Sequence, residues 1–326
     1  MIIELANNVL AGDEITVAEA EQLITVSDED TMLLLAMADK IRSKFNGGAV
    51  DCCAIINARS GRCSEDCKFC AQSAHYQTGT KEYPLLKEDE MVMAAKKAKE
   101  AGAARFSLVT SGRGQNAEAD FEHICHTLNR IKKEIGIEIC ASLGLLTYEQ
   151  ACRLKALGLS RIHNNLETAP SYFPSVCSTH SYEDKIKIIK NAQKAGLRVC
   201  SGGIFGLNET PKQRVELAFT LKKLGIDSVP LNILMPIFGT PFARNKALIP
   251  LEILRAFAVF RFVLPKALIR TAGGREANLR DLQCLALNGG LNGIMIGGYL
   301  TKAGRDANKD KVMLKDLGRT VTQPQL

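Results

Sequence analysis

Three cysteines in the string CSEDCKFC, Cys63, Cys67 and Cys70, carry the strongest chemical signal in the chain. Spacings of four and three residues let one short loop wrap three thiolates around a single compact metal centre. A tetrahedral zinc site usually assembles from two paired knuckles, and no matching C-x-x-C or H-x-x-x-H partner follows downstream. Three protein ligands leave one coordination position open to a small molecule; the alternative is a loop whose metal only stabilises it. Two further thiols, Cys140 in EICASLG and Cys200 in RVCSGGIFG, and the guanidinium of Arg270 in ALIRTAGG lie inside apolar runs. Each cysteine alone is as readily a small buried hydrophobe. A buried arginine, however, requires an anionic partner. Facing outward, Arg270 would find one on a helix or in Glu276; facing inward, it would be satisfied by a second thiolate-bound centre that also accounts for both thiols.

These groups need a scaffold that brings distant segments together. From residue 50 onward, short apolar runs alternate with amphipathic segments ending in Ala-Gly or Leu-Gly, the rhythm of repeated βα units. The runs begin at Cys52, Ala104, Ile137, Arg161, Arg198, Ser228, Ala267 and Asn292. Helices are expected over Glu88 to Ala101, Ala119 to Ile135, Tyr148 to Leu157, Tyr182 to Ala195, Pro211 to Leu224 and Pro250 to Phe262, with glycines 102, 136, 158, 196 and 225 at their C-terminal ends. About eight such units predict an α/β fold closed into a (β/α)8 TIM-type barrel, since closure removes the sheet edges. An open doubly wound sheet is disfavoured by the missing G-x-G-x-x-G after the first strand. The expected organisation is an N-terminal helical cap over residues 1–48, the barrel over 49–302, and a solvated C-terminal helix and tail over 303–326.

Composition narrows the class. The 326 residues, 46% hydrophobic and 24% charged with 10 prolines, describe a globular protein with ample core material. The net charge of +7 is dispersed and not interleaved with aromatic residues, which argues against nucleic-acid binding. The start, MIIELANNVLAGDEIT, lacks a basic segment followed by an apolar stretch, and no apolar run approaches the roughly 18 residues needed to span a bilayer. A cytoplasmic, membrane-free protein is expected, its eleven cysteines reduced. Cys52, Cys53, Cys125, Cys152 and Cys284 have no motif around them and read as packing residues.

The cysteine spacing resembles the C-x-x-x-C-x-aromatic-C signature of radical S-adenosylmethionine (SAM) enzymes, with Phe69 at the aromatic position. From about residue 50 to 302 the chain further resembles the biotin synthase family, through CSEDCKFCAQS, EICASLG, HNNLETAP, RVCSGGIFGLNET, VPLNILMPIFGTP and IRTAGGRE in that order. The resemblance implies a 4Fe-4S cluster on Cys63, Cys67 and Cys70 whose open iron chelates S-adenosylmethionine, and reductive cleavage to a 5′-deoxyadenosyl radical. It implies sulfur insertion between C6 and C9 of dethiobiotin in two rounds, with sulfide taken from an auxiliary cluster, 2Fe-2S or modified, on Cys140, Cys200 and Arg270. It further implies a homodimer, a low-potential electron donor such as flavodoxin or ferredoxin, and sulfide or a cysteine desulfurase as the sulfur source.

By the same resemblance Asn165 and Glu167 contact the adenosyl ribose, Phe69 packs near the adenine, and Ser201, Gly202 and Gly203 bring backbone close to the nucleotide. Ser111, Gly112 and Arg113 meet the methionine carboxylate, and Asn165 and Asn232 reach the ureido ring, to which an amide both donates and accepts. His163 stands where the best-known members have Asn. A larger departure is Ser107 in RFSLVT, where the family places a cysteine: serine ligates iron only as an alkoxide, a poorer match than thiolate. Cys177 in YFPSVCSTH then supplies a replacement thiolate, binds a different auxiliary cluster, or is an uncoordinated loop cysteine. Two other classes remain open: a related radical enzyme performing a rearrangement or cofactor assembly, and a non-catalytic iron–sulfur redox or sensor protein.

Overall fold

The computed structural model describes residues 1–115, 117–301 and 304–322. Helices α1 (Ile2–Ala11), α2 (Val17–Ile24) and α3 (Asp28–Asn46) come first. Then β1 (Ala49–Arg59), α4 (Glu88–Glu100), β2 (Arg105–Thr110), α5 (Glu118–Glu134), β3 (Glu138–Ser142), α6 (Tyr148–Ala156), β4 (Arg161–His163) and α7 (Tyr182–Lys194) alternate. The fifth barrel strand is broken into β5 (Arg198–Cys200) and β6 (Gly203–Phe205). After it follow α8 (Pro211–Lys223), β7 (Ser228–Ile233), α9 (Pro250–Val263), β8 (Leu268–Thr271), α10 (Arg275–Leu279), α11 (Gln283–Asn288) and β9 (Gly293–Met295).

Each strand pairs in parallel with the next, and β9 returns to β1 through Asp51↔Gly293, Cys52↔Ile294 and Cys53↔Met295, so the sheet closes into the expected barrel. The helices start where the sequence supplies their caps. Thr147, Ser181 and Thr210 each accept a hydrogen bond from the backbone N–H three residues on, with Gln150, Asp184 and Gln213 bonding back. α2 and α3 pack on α8 and α9, in the outer helical layer.

Side chains alternate along the strands, and this positions the site. Cys52, Ala54, Phe106, Leu108, Ile139, Ala141, Ile162, Val199, Val229, Leu231, Ile269 and Ile294 point outward and form the main core beneath the helices. Their neighbours Cys53, Ser107, Cys140, Arg161, Cys200, Asn232 and Arg270 line an interior cavity of about 270 Å³. An ordinary barrel packs its interior with branched apolar residues. Here thiols, amides and guanidinium groups replace them, and the barrel encloses a chamber.

The segment expected to be solvated at the C-terminus is anchored instead. Helix α12 (Ala307–Asp316) buries Asp310 against Arg275 at 2.5 Å and Leu314 in the core, and β10 (Thr320–Val321) pairs with Ala49 and Val50 at the start of β1. Its basic residues are mostly exposed, but a buried ion pair and a strand pairing hold the helix to the barrel. The expected boundary at 302 lies outside the described residues. Among the described residues no helix is long and apolar enough to cross a membrane.

Candidate active site

Cys63, Cys67 and Cys70 sit on the long loop that leaves the C-terminal end of β1, and all three line the cavity mouth. The loop is tied by its own backbone: Cys63 N–H donates to Gln72 O at 2.9 Å, Ala74 N–H to Cys63 O at 2.7 Å and Cys70 N–H to Cys67 O at 2.9 Å. A second loop, after β4, braces it. Asp66 accepts from the N–H groups of Ser178 and Thr179, and Glu65 accepts from Thr179 Oγ1 at 2.6 Å and contacts His180 Nδ1. Burial alone would raise the Glu65 carboxyl, but those bonds hold it below its ordinary value. Phe69 packs with Val176, Ile204, Leu207, Leu234 and Phe242 in a small separate cluster, which fixes the ring between Cys67 and Cys70 at the mouth.

Cys177 lies in that bracing loop. Its Sγ is 3.8 Å from Cys67 Sγ and 3.1 Å from Asp66 Oδ1, and it does not line the chamber with Cys140 and Cys200. Of the readings open for Cys177, loop geometry sets it beside the first cysteine motif and away from Cys140 and Cys200. The Cys67 thiol, donating to it, holds the Cys177 pKa down to about 4, against burial.

Deeper along the wall stand the amides and the acid. Asn165 Oδ1 accepts from Gly202 N–H at 3.0 Å and its Nδ2 donates to Glu167 Oε2 at 3.3 Å, while Lys185 Nζ lies 3.9 Å from Glu167 Oε1. Asn232 links Gly203 O to Gly273 N–H. Each amide thus keeps one N–H and one lone pair for a ligand. Ser111 Oγ donates to Gly61 O, its carbonyl accepts from Arg59, and Gly112 adopts φ 109 beside them. Arg113, half exposed, donates to Thr179 O. Ser201 Oγ is buried without a partner. Gly202 and Gly203 are explained by the protein itself: a Cβ on Gly202 would lie 2.8 Å from the Pro230 carbonyl carbon, and one on Gly203 2.6 Å from Glu167 O.

At the chamber floor the structure brings Cys140, Cys200, Ser107 and Arg270 onto one cavity lining, together with further charged and thiol side chains of the strands. Arg270 faces inward, and its partner is Asp51, 3.0 Å away, not Glu276 or an outer helix. Asp51 also holds Arg105, which reaches Glu138 at 2.8 Å. Arg161, 1% exposed, donates to Asp227 at 2.7 Å yet leaves Nε and Nη2 without partners, as does Arg270 at Nε. Cys200 feels this field. Burial would raise its thiol, but the His163 hydrogen bond and the nearby Arg270 and Arg161 bring it down to about 6. Burial dominates at Cys140, pushed up to about 12, and at Cys53, raised to about 11. Cys53 sits on this floor, correcting its reading as a packing residue; adjacent Cys52 is the one that packs outward.

The donor sets fit iron–sulfur centres. The mouth offers three uncrosslinked thiols on one loop, and the floor offers thiols beside buried guanidinium donors that lack an acceptor, as an anionic thiolate-held centre requires. Glu167 and Asn165 place polar groups on the wall between the mouth and the floor. Sequence reasoning missed Cys53, Asp51, Arg105, Arg161 and Lys185; in the strands, the available signal was charge or thiol at every second position of an otherwise apolar run.

Comparison with known proteins agrees. Residues 58–233 match the family model described as the radical SAM superfamily, and residues 230–320 the one described as the biotin and thiamin synthesis associated domain. The biotin synthase of Pelotomaculum thermopropionicum is 50% identical over 98% of this chain and 100% of its own length. That of Geobacter sulfurreducens is 48% identical over 98% and 97%. Among solved structures, methylornithine synthase superposes with a TM-score of 0.87 at 20% identity, covering 98% of this chain and 97% of its own. The FeFe-hydrogenase maturase of Carboxydothermus hydrogenoformans gives 0.82 at 19%, covering 98% and 78%. At those identities the likeness establishes the fold.

Proposed function

The chain belongs to the biotin synthase family of radical SAM enzymes, and from that premise we propose how its own residues divide the work of inserting sulfur into dethiobiotin. When bound, a 4Fe-4S cluster supplies the electron that cleaves S-adenosylmethionine, and an auxiliary iron–sulfur cluster supplies the sulfur. Cys63, Cys67 and Cys70 hold the first at the mouth; Cys140, Cys200 and Arg270 hold the second on the floor. The observation that carries this division is a single cavity lined by both groups, with the polar wall between them.

On that wall Glu167, oriented by Asn165 and Lys185, binds the ribose hydroxyls, and Phe69 walls the adenine. Ser111, Gly112 and Arg113 receive the methionine carboxylate, where Arg113 provides the cation. The remaining valences of Asn165 and Asn232 address the ureido ring of dethiobiotin, while His163, paired with Cys200 in the strand register, borders the substrate on the floor side. Ser201, with an unpartnered hydroxyl, provides a further donor beside the nucleotide. Enclosure excludes water from the carbon centre that must meet sulfur.

A homodimer in the cytoplasm, a flavodoxin or ferredoxin as electron donor, and sulfide or a cysteine desulfurase replenishing the floor belong to the same proposal. The eleven free cysteines suit a reducing compartment. The test is anaerobic incubation of the reconstituted protein with dethiobiotin, S-adenosylmethionine and a reductant, read by mass spectrometry. Biotin with two equivalents of 5′-deoxyadenosine is expected, one for each carbon–sulfur bond; nucleoside without biotin would instead identify a related radical enzyme on the same barrel.

A further inference from the structure

Three buried thiols from three strands face the chamber floor: Cys53 on β1, Cys140 on β3 and Cys200 on β5, 6%, 6% and 7% exposed. Beside them the guanidinium groups of Arg161 and Arg270, 1% and 3% exposed, leave Arg161 Nε and Nη2 and Arg270 Nε unpartnered. Buried donors without acceptors cost about 1–3 kcal/mol each, so a floor that keeps three of them is built for an anion. A single ion cannot collect the thiols. Among the described residues, the metal-ligating trio whose atoms all lie within 4.8 Å of one another is Cys67, Cys177 and His180, at the mouth, and the three floor thiols do not all meet within that distance. A polynuclear iron–sulfur centre has the breadth to span them.

Ser107 faces the same floor, in register with Ile55 on β1 and Cys140 on β3, and its hydroxyl has no partner. An alcohol is a far weaker iron ligand than a thiol at neutral pH. The strand register supplies an alternative: Cys53 precedes Ile55 by one inward position, so it reaches the same chamber from the neighbouring strand.

We infer that Cys53 is the third thiolate of the auxiliary iron–sulfur centre, acting with Cys140 and Cys200 in place of Ser107, while Arg161 joins Arg270 in balancing the charge. The inference rests on the two-cluster reading above.

The test uses full-length protein in which Cys63, Cys67 and Cys70 are all replaced by alanine, leaving the floor as the iron site. After anaerobic reconstitution, iron and acid-labile sulfide are counted and Mössbauer spectra recorded, with circular dichroism confirming the fold. That protein retains iron and sulfide. Adding Cys53→Ala, or the less disruptive Cys53→Ser, removes them, whereas adding Cys177→Ala or Ser107→Ala leaves content and spectrum unchanged. If folded Cys53→Ser keeps its iron with an unaltered spectrum, Cys53 is not a ligand and the inference is overturned. If the starting variant already binds no iron, the floor holds no cluster, and the two-cluster reading falls with it.

Discussion

Replacing Arg161 by methionine separates the account from a purely structural one, because the expected effect changes sign with cluster loading. Arg161 is 1% exposed and carries two donor nitrogens, Nε and Nη2, without acceptors. Removing two such donors relieves about 2–6 kcal/mol at roughly 1–3 kcal/mol each. Against this stands the lost bond from Nη1 to Asp227 at 2.7 Å. Asp227 is 43% exposed and still holds Arg198 at 2.5 Å, so that loss is about 1 kcal/mol. Methionine keeps most of the apolar stem. The net expectation is a cluster-free protein more stable by about 1–3 kcal/mol, allowing for relaxation, which is a few degrees in Tm for a chain of this size. In the loaded protein the same donors face an anionic centre, where hydrogen bonds to charge stabilise by about 1.5–3 kcal/mol each, so the substitution lowers Tm and iron retention. Paired anaerobic melts of apo and reconstituted protein provide the assay. A shift of the same sign in both forms would refute the claim that the floor is built for an anion.

Other expectations follow from single contacts. Gly202→Ala pushes a methyl into the Pro230 carbonyl, a backbone atom that cannot swing aside, and should destabilise by about 3 kcal/mol or more, seen as a lower denaturant midpoint with unchanged slope. Thr210→Ala removes the cap of α8 and should cost about 1 kcal/mol in the same assay. Glu167→Gln should raise the KM for S-adenosylmethionine by roughly 10–100-fold while folding normally, as expected for losing a charge-assisted bond; an unchanged KM would remove Glu167 from the nucleoside site. Glu138 is held below its ordinary pKa: burial would raise it, but Arg105 more than compensates. A depressed carboxylate contributes stability above its unfolded value, near 4.3, and loses it as pH falls through the folded value. The stability gap between wild type and Glu138→Gln should therefore close on acidification below about pH 4, measured by urea titration at several pH values.

The barrel was legible because its punctuation is local. Glycines 102, 136, 158, 196 and 225 end their helices at positive φ, and every expected strand overlaps an observed one. The cysteine loop was legible for the same reason, since its chemistry is contained within eight residues. Legibility failed where facing decides the outcome. Cys52 and Cys53 are adjacent and chemically identical, and only the register Cys53↔Arg105 and Cys53↔Met295 turns one toward the floor and the other into the core. Asp51, Arg105 and Arg161 belong to the site only through closure of the barrel, which pairs Asp51 with Arg105 and Arg270 and sets Arg161 on the same cavity wall. Cys177 illustrates the converse: a plausible ligand type whose loop is carried by Asp66 and Glu65 to the mouth. At Gly202 and Gly203, the need for glycine arises from Pro230 and Glu167 and would exist without any nucleotide.

The most direct measurement follows the sulfur itself. Protein reconstituted on its floor with isotopically heavy sulfide, freed of excess sulfide and given dethiobiotin, S-adenosylmethionine and reductant under anaerobic conditions, should release a first turnover of biotin carrying the heavy isotope. The label should vanish when Cys140 or Cys200 is replaced by alanine. Unlabelled biotin from the labelled protein would place the sulfur source outside the chamber and contradict the account.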